Sequence, residues 1–245
     1  MKLSTSFWLF LLATAFFPGI ALKAQSNKND SGFFQASIHN AITSYQHFAR
    51  DQSRLNNGRK YKPYGIRFIS GTPFFQTDHF SEGTIIYEGG YYDNVNLMYD
   101  EVQDMVILRT DVAIELITEH IEQFSIAGHF FVKLVKDSNN HHLAAGFYEQ
   151  MYKGKVEVYK KEKKLIKENL STTEGVRGEI EKKTLYYLKK DGICYIIKKK
   201  SNIYEVLRDK ENEIQKFMKS NSLSFKSDPD NTLAKIAFYY DQLTN

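Results

Sequence analysis

Thr84-Ile-Ile-Tyr-Glu-Gly-Gly-Tyr-Tyr92 decides the fold. Strand-forming residues run into a Gly-Gly pair and aromatic residues leave it. Glycine at the apex supplies the positive φ that a two-residue hairpin needs, so the spacing predicts a hairpin turning at Gly89-Gly90. The same grammar recurs on both sides. Tyr64 to Ser70 alternates through Ile66 and Phe68 and ends at Gly71-Thr72-Pro73. Met105 to Leu108, Val112 to Ile117 and Phe130 to Val135 are further runs of strand length. Lys136 to His141 reads as a polar hairpin loop. Phe147 to Tyr152 and Val156 to Tyr159 flank Gly154, and Leu185 to Leu188 and Ile193 to Ile197 flank Asp191-Gly192, a strong hairpin cue.

The ends change period. Phe34, Ile38, Ile42, Tyr45 and Phe48 recur at helical spacing through Asp51, before the turn residues Asn56-Asn57-Gly58. Asp209 reads as a cap for Lys210 to Lys219, where Ile214, Phe217 and Met218 share a face. Asp228-Pro229 places a cap and a first-turn proline before Leu233, Ile236, Ala237 and Tyr240. These readings predict an α+β class: a mainly antiparallel β-sheet, a curved sheet or half-barrel, with one N-terminal and two C-terminal helices.

Residues 1–24 read as a secretory signal peptide. Lys2 is followed by the apolar run Phe7 to Phe17, by Pro18-Gly19, and by Ala21 and Ala24 before Gln25. The run is too short for a permanent span, and no later run is long enough for a transmembrane helix. No cysteine lies near the cleavage site to carry a lipoprotein anchor. The expectation is an exported chain, periplasmic, outer-membrane associated or secreted, whose residues 25–245 form a single α+β domain.

Sixteen Tyr and eighteen Phe against one Trp favour a pleated, aromatic-paved sheet. The single cysteine, Cys194, rules out an internal disulfide and reads as a buried small hydrophobe. Formal charge is only +4, too weak to imply nucleic acid, but it is divided. Thr72 to Ile126 holds eleven Asp or Glu and one basic residue, Arg109; Met151 to Lys200 holds fifteen Lys or Arg against seven acids. Acidic strands lying beside basic ones in one fold is the expected outcome. The alternatives are an acidic face for a cationic ligand, or a basic face for headgroups or glycans.

No motif carries chemistry outright. The seven histidines match no zinc spacing, and no nucleophile elbow, Walker loop or dinucleotide fingerprint is present. No metal and no cofactor is expected. The acidic clusters Asp93 to Asn96 and Asp100 to Asp104 offer oxygen ligands without EF-hand spacing. Lys160-Lys161-x-Lys163-Lys164 and Lys198-Lys199-Lys200 are candidates for phosphates or headgroups, with a solvated face as the plainer reading. For a hydrolytic centre the candidates are Asp78 and His79, with His129 and Glu149 as convergent groups.

Several short patterns occur together: Asn57-Gly58 with Tyr61; Gly71-x-Pro73-Phe74-Phe75; Gly83-x-Ile85-x-Tyr87-x-Gly89-x-x-Tyr92; and Leu97-x-Tyr99-Asp100 with Asp104. With Asp209 to Phe225 and Tyr239-Tyr240 before Leu243, the chain resembles uncharacterised exported envelope proteins of the Bacteroidota type. The resemblance implies an envelope or secreted protein and brings no activity or catalytic residue with it. The function expected is a non-catalytic binding or assembly role, towards an apolar ligand, a lipid or a membrane-protein partner. The alternative is a hydrolase of envelope or extracellular polymers.

Overall fold

The computed structural model describes residues 54–136, 143–171 and 175–244. The leader at 1–24, the helix expected over 34–51, and His39, His47, His141 and His142 lie outside the described residues.

Among the described residues, twelve strands form one mostly antiparallel open sheet. They are β1 (Arg59–Lys60), β2 (Arg67–Ser70), β3 (Ser81–Tyr87), β4 (Gly90–Asp100), β5 (Met105–Arg109), β6 (Ala113–Glu115), β7 (Ile121–Ile126), β8 (His129–Leu134), β9 (Gly146–Lys153), β10 (Val156–Ser171), β11 (Gly175–Lys190) and β12 (Ile193–Ile197). Their order across the sheet is β1-β6-β5-β4-β3-β7-β8-β9-β10-β11-β12, with β2 added parallel to β11. Three helices follow: α1 (Lys200–Val206), α2 (Glu211–Ser220) and α3 (Pro229–Thr244).

The hairpin that organises the first half turns one residue earlier than its glycines suggest. Tyr87 pairs with Gly90, and Glu88 and Gly89 occupy the turn at φ 50° and 72°. Glu88 donates its backbone N–H to the His120 carbonyl at 2.9 Å, so a neighbouring segment holds it outside the β3–β4 ladder.

Apolar residues collect in separate clusters. Around β3 to β9, Tyr99, Phe124, Phe131 and Phe147 meet, with Phe124 and Phe131 stacked at 4.8 Å and Tyr99 and Phe147 edge-on to Phe124. Val156, Val158, Leu188 and Ile197 pack under Ile203, Ile214, Leu233 and Ile236 of the helices. Tyr148, Tyr159, Tyr187 and Cys194 form a third cluster, which places Cys194 in the interior as its sequence context suggests.

An ionic joint connects the acidic β4–β5 turn to basic β10. Lys161, 7% exposed at its side chain, donates to Asp104 Oδ1 at 2.6 Å and to the Phe147 carbonyl at 2.8 Å. Asp104 also accepts from the Tyr99 hydroxyl and from the Phe147 N–H. Lys164 Nζ lies 2.8 Å from Glu101 Oε2 and donates to the Phe74 carbonyl at 2.6 Å. The Lys164–Glu101 contact is one of charge, since Oε2 has no donor at a hydrogen-bonding angle. Asp100, fully buried, is satisfied by the Val102 and Gln103 N–H groups and the Tyr64 hydroxyl. Acidic and basic halves thus do lie together here, and the acids of Asp100 to Asp104 have protein partners.

Three further expectations are corrected. The C-terminal helices number three rather than two: α1 is a seven-residue segment, too short to show periodicity, anchored by buried Ile203. Asp209 caps no helix; it binds Lys190 and accepts from the Tyr240 hydroxyl at 2.8 Å. β7 was not foreseen, because a register shift at Ile86/Tyr87 breaks the alternation among Ile121, Phe124 and Ile126. Asp228 and Pro229 behave as read: Asp228 Oδ1 accepts from the Asn231 N–H at 3.2 Å at the start of α3.

Two substitutions test the joint. At Gly146 (φ +144°) a Cβ would stand 2.0 Å from Asp104 Oδ2, so Gly146→Ala must displace the Asp104 carboxylate. Lys161→Met leaves Asp104 without its cation at a cost of about 3 kcal/mol. Both variants should unfold at clearly lower urea than the parent, and an unchanged midpoint for either would show the joint to be dispensable.

Candidate functional site

His129 and Glu149 project from neighbouring strands β8 and β9, where Phe131 pairs with Glu149. His129 Nδ1 lies 2.6 Å from Glu149 Oε1. The Gln76 side-chain amide donates to His129 Nε2 at 2.8 Å, and the Phe75 ring stands edge-on to the imidazole at 5.0 Å. Gln76 holds the left-handed conformation (φ 56°), which aims it at the ring. Beyond Glu149 the contacts continue across the sheet. Lys160 Nζ is 3.4 Å from Glu149 Oε2 and 2.8 Å from Asp230 Oδ2, and the Tyr186 hydroxyl donates to Asp230 Oδ1. Sequence reasoning grouped four residues, and the structure brings two of them together. Asp78 and His79 contact each other at 2.7 Å, with side chains 69% and 83% exposed. Among the described residues, neither makes a hydrogen bond or ion pair to His129 or Glu149.

Electrostatics along this chain are those of a structural clasp. Burial pulls the Lys160 ammonium down, but the Asp230 hydrogen bond and the Glu149 charge outweigh it, and its pKa ends above the usual lysine value. Burial pushes the Asp230 carboxyl up, yet hydrogen bonds from Lys160 and Tyr186 outweigh that, and its pKa lies below the usual carboxylate value. The Tyr186 hydroxyl is raised, first by burial and then by its bond to Asp230. Among the described residues no three His, Cys, Asp or Glu side chains come together as a metal site.

Tyr186 connects the clasp to a second feature, a cavity of about 1100 Å³ at the β11 edge. β12 pairs with β11 over Tyr186 to Lys190, and β2 over Arg177 to Glu179. Among the described residues the intervening stretch of that edge, including Leu185, has no strand beside it. The cavity occupies this notch and extends to the turn between α2 and α3. Leu185, Tyr187, Ile196, Leu223, Phe225 and Pro229 give it an apolar lining. Lys163, Lys183, Lys198, Lys199, Lys200 and Lys226 stand around it, all exposed. The Asn202 side-chain oxygen accepts from the Lys198 and Lys199 N–H groups at 3.2 Å each, which holds the three-lysine turn in place. Sequence reasoning had marked Lys198 to Lys200 and the Lys160–Lys164 run, but not Lys183, Lys226 or the apolar lining. The readable signal was two lysines at matching positions of a long hairpin with no acid in register.

No helix among the described residues is long and apolar enough to cross a membrane. Compared with known proteins, the chain matches no family model, no curated protein and no solved structure.

The clasp predicts an acid-side dependence of stability. Because the Asp230 pKa is lower folded than unfolded, its contribution is present above the unfolded value of about 3.9 and is lost as pH falls through the folded value. Asp230→Asn should therefore lower the urea midpoint at pH 7, and the gap to the parent should shrink on acidification below about pH 4. A gap independent of pH would remove the clasp's electrostatic role.

Proposed function

We propose that this chain is an exported, non-catalytic binding protein of the cell envelope that holds an apolar or lipid-like ligand in the cavity between the β11 edge and the α2–α3 turn. The observation that carries the reading is the cavity itself: at about 1100 Å³ it slightly exceeds the ~300–1,000 Å³ usual for small-ligand sites, and just over half of its lining residues are aliphatic or aromatic. The leader-like residues 1–24 and the resemblance to exported envelope proteins support the location. In this reading the open sheet is a curved, half-barrel-like wall, and α2 and α3 close one side of the ligand space. A membrane-protein partner would then be the donor or acceptor of the ligand.

The hydrolase alternative is favoured by one observation, the 2.6 Å contact between His129 and Glu149, the arrangement that orients a general base. Against it, Gln76 occupies the imidazole nitrogen a base would need, and among the described residues no hydroxyl or thiol bonds to His129. If it holds, Glu149→Gln abolishes polymer hydrolysis by the purified protein and leaves its fold intact.

Gentle extraction from the native envelope followed by mass spectrometry tests the main reading. The expected result is a mature chain beginning at Gln25 with about one lipid-like molecule per chain. A solitary chain free of any small molecule under the same extraction would sink it.

A further inference from the structure

Lysines in the basic half are not distributed at random with respect to partners. β10 and β11 carry nine. Lys160, Lys161, Lys164 and Lys167 of β10 each have a carboxylate within ion-pair distance. Lys182, Lys189 and Lys190 of β11 do too. The remaining two, Lys163 and Lys183, have none among the described residues. They are also directly opposite each other in the ladder, the placement in which like charges destabilise a strand pair. The adjoining rung is likewise a lysine pair, Lys164 opposite Lys182, but there Glu101 and Glu162 neutralise the two ammonium groups. The uncompensated rung is the one on the cavity.

Four more lysines extend the imbalance around the same space. Lys198, Lys199 and Lys226 have no carboxylate partner among the described residues, and Lys200 lies only over the Tyr204 ring at 5.5 Å. The nearest acids of the α2–α3 turn are engaged elsewhere, Asp228 in capping α3 and Asp230 in holding Lys160 and Tyr186. Among the described residues no acid lines the cavity.

We infer that the cavity's ligand is an anionic amphiphile: a phosphorylated headgroup held among Lys163, Lys183, Lys198 and Lys199, with an apolar tail against Leu185, Tyr187 and Phe225. This inference rests on the apolar-ligand reading above and names the ligand's head. Ammonium groups on flexible stems suit a multiply charged phosphate, which they approach as point charges from several directions. Six cations around one concave space, without a carboxylate partner among the described residues, also raise the local anion concentration before contact. Apolar lining beneath a cationic rim selects a molecule with both parts over a free anion.

Calorimetric titration of the purified protein tests the inference with three probes: dihexanoyl phosphatidic acid, dihexanoyl phosphatidylcholine and inorganic phosphate. The phosphatidic acid should bind about tenfold or more tighter than the phosphatidylcholine, and inorganic phosphate weaker than either. Equal binding of the two lipids would overturn the anionic head and leave the apolar-ligand reading standing. Phosphate binding as tightly as phosphatidic acid would overturn both, making the cavity a free-anion site. Binding of none of the three would also overturn both. The double variant Lys163→Gln with Lys183→Gln provides a second readout. Relieving the opposed charges should leave the urea midpoint equal or higher, while affinity for phosphatidic acid falls about tenfold and that for phosphatidylcholine stays. Unchanged phosphatidic acid affinity in a folded variant would remove these two lysines from the site.

Discussion

A buried lysine must bring its own acid, and the organisation of this chain follows from that constraint. Lys161 and Lys164 sit at or below 7% side-chain exposure, where an unneutralised ammonium would cost several kcal/mol. Their carboxylates come from the β4–β5 turn, which four strands separate from β10 in the sheet but which is brought against it in space. Asp104 and Glu101 can serve only if the turn is held at the right height, and Asp100 does that by accepting from Val102, Gln103 and Tyr64. Gly146 leaves the room that the Asp104 carboxylate occupies. Two residues thus resist change on the two sides of one contact, for opposite reasons. The joint is also strained electrostatically: burial pulls the Lys161 pKa down and pushes the Glu101 pKa up, each against the pull of its partner. Such a pair contributes more to fixing which strand meets which turn than to net stability.

Much of this was legible in the sequence as a statement about sums. Eleven acids in one stretch and fifteen basic residues in another implied contact between halves. Which pairs would form was not legible, because pairing depends on a register set by turns. The Glu88-Gly89 turn displaces the expected one by a residue, and the shift near Tyr87 hides β7 behind broken alternation. The length of the β10–β11 hairpin was hidden for another reason. Its outer half is rich in Lys and Glu, residues with little strand preference, held by diagonal cross-strand pairs such as Glu162–Lys182 and Lys167–Glu181. By contrast, the Asp191-Gly192 hairpin and the Asp228-Pro229 helix start were readable, since both depend on local backbone chemistry alone.

The two candidate sites were legible to different degrees. His129 and Glu149 were picked out as chemical residue types, and cross-strand geometry brought them together; Asp78 and His79, chosen for adjacency, stay with each other in solvent. The cavity could not be read from residue types. It is made by what is missing on an edge: β12 stops at Ile197, β2 joins only at Arg177 to Glu179, and a notch is left between them. Its floor includes Tyr186, whose hydroxyl is fastened to Asp230 and through it to Lys160 and Glu149. The polar chain that resembles a catalytic relay therefore stands behind the cavity wall and fastens it.

Burial also explains why the cavity lysines can stand without an acid partner among the described residues when the buried Lys161 and Lys164 cannot. Lys163, Lys183, Lys198, Lys199, Lys200 and Lys226 are exposed, so water and salt screen their mutual repulsion over a Debye length of about 8–10 Å. The empty site is then only mildly unfavourable, and the fold tolerates it. In the proposed binding role, an arriving anion would meet charges that no acid among the described residues has claimed, and its tail would exclude water from the apolar lining, which strengthens each contact to the head. An acid within reach of Lys163 and Lys183 would be the simpler way to stabilise this hairpin, and the same two strands have one at their seven other lysines. Leaving this one rung uncompensated makes physical sense where the missing charge comes from outside the chain.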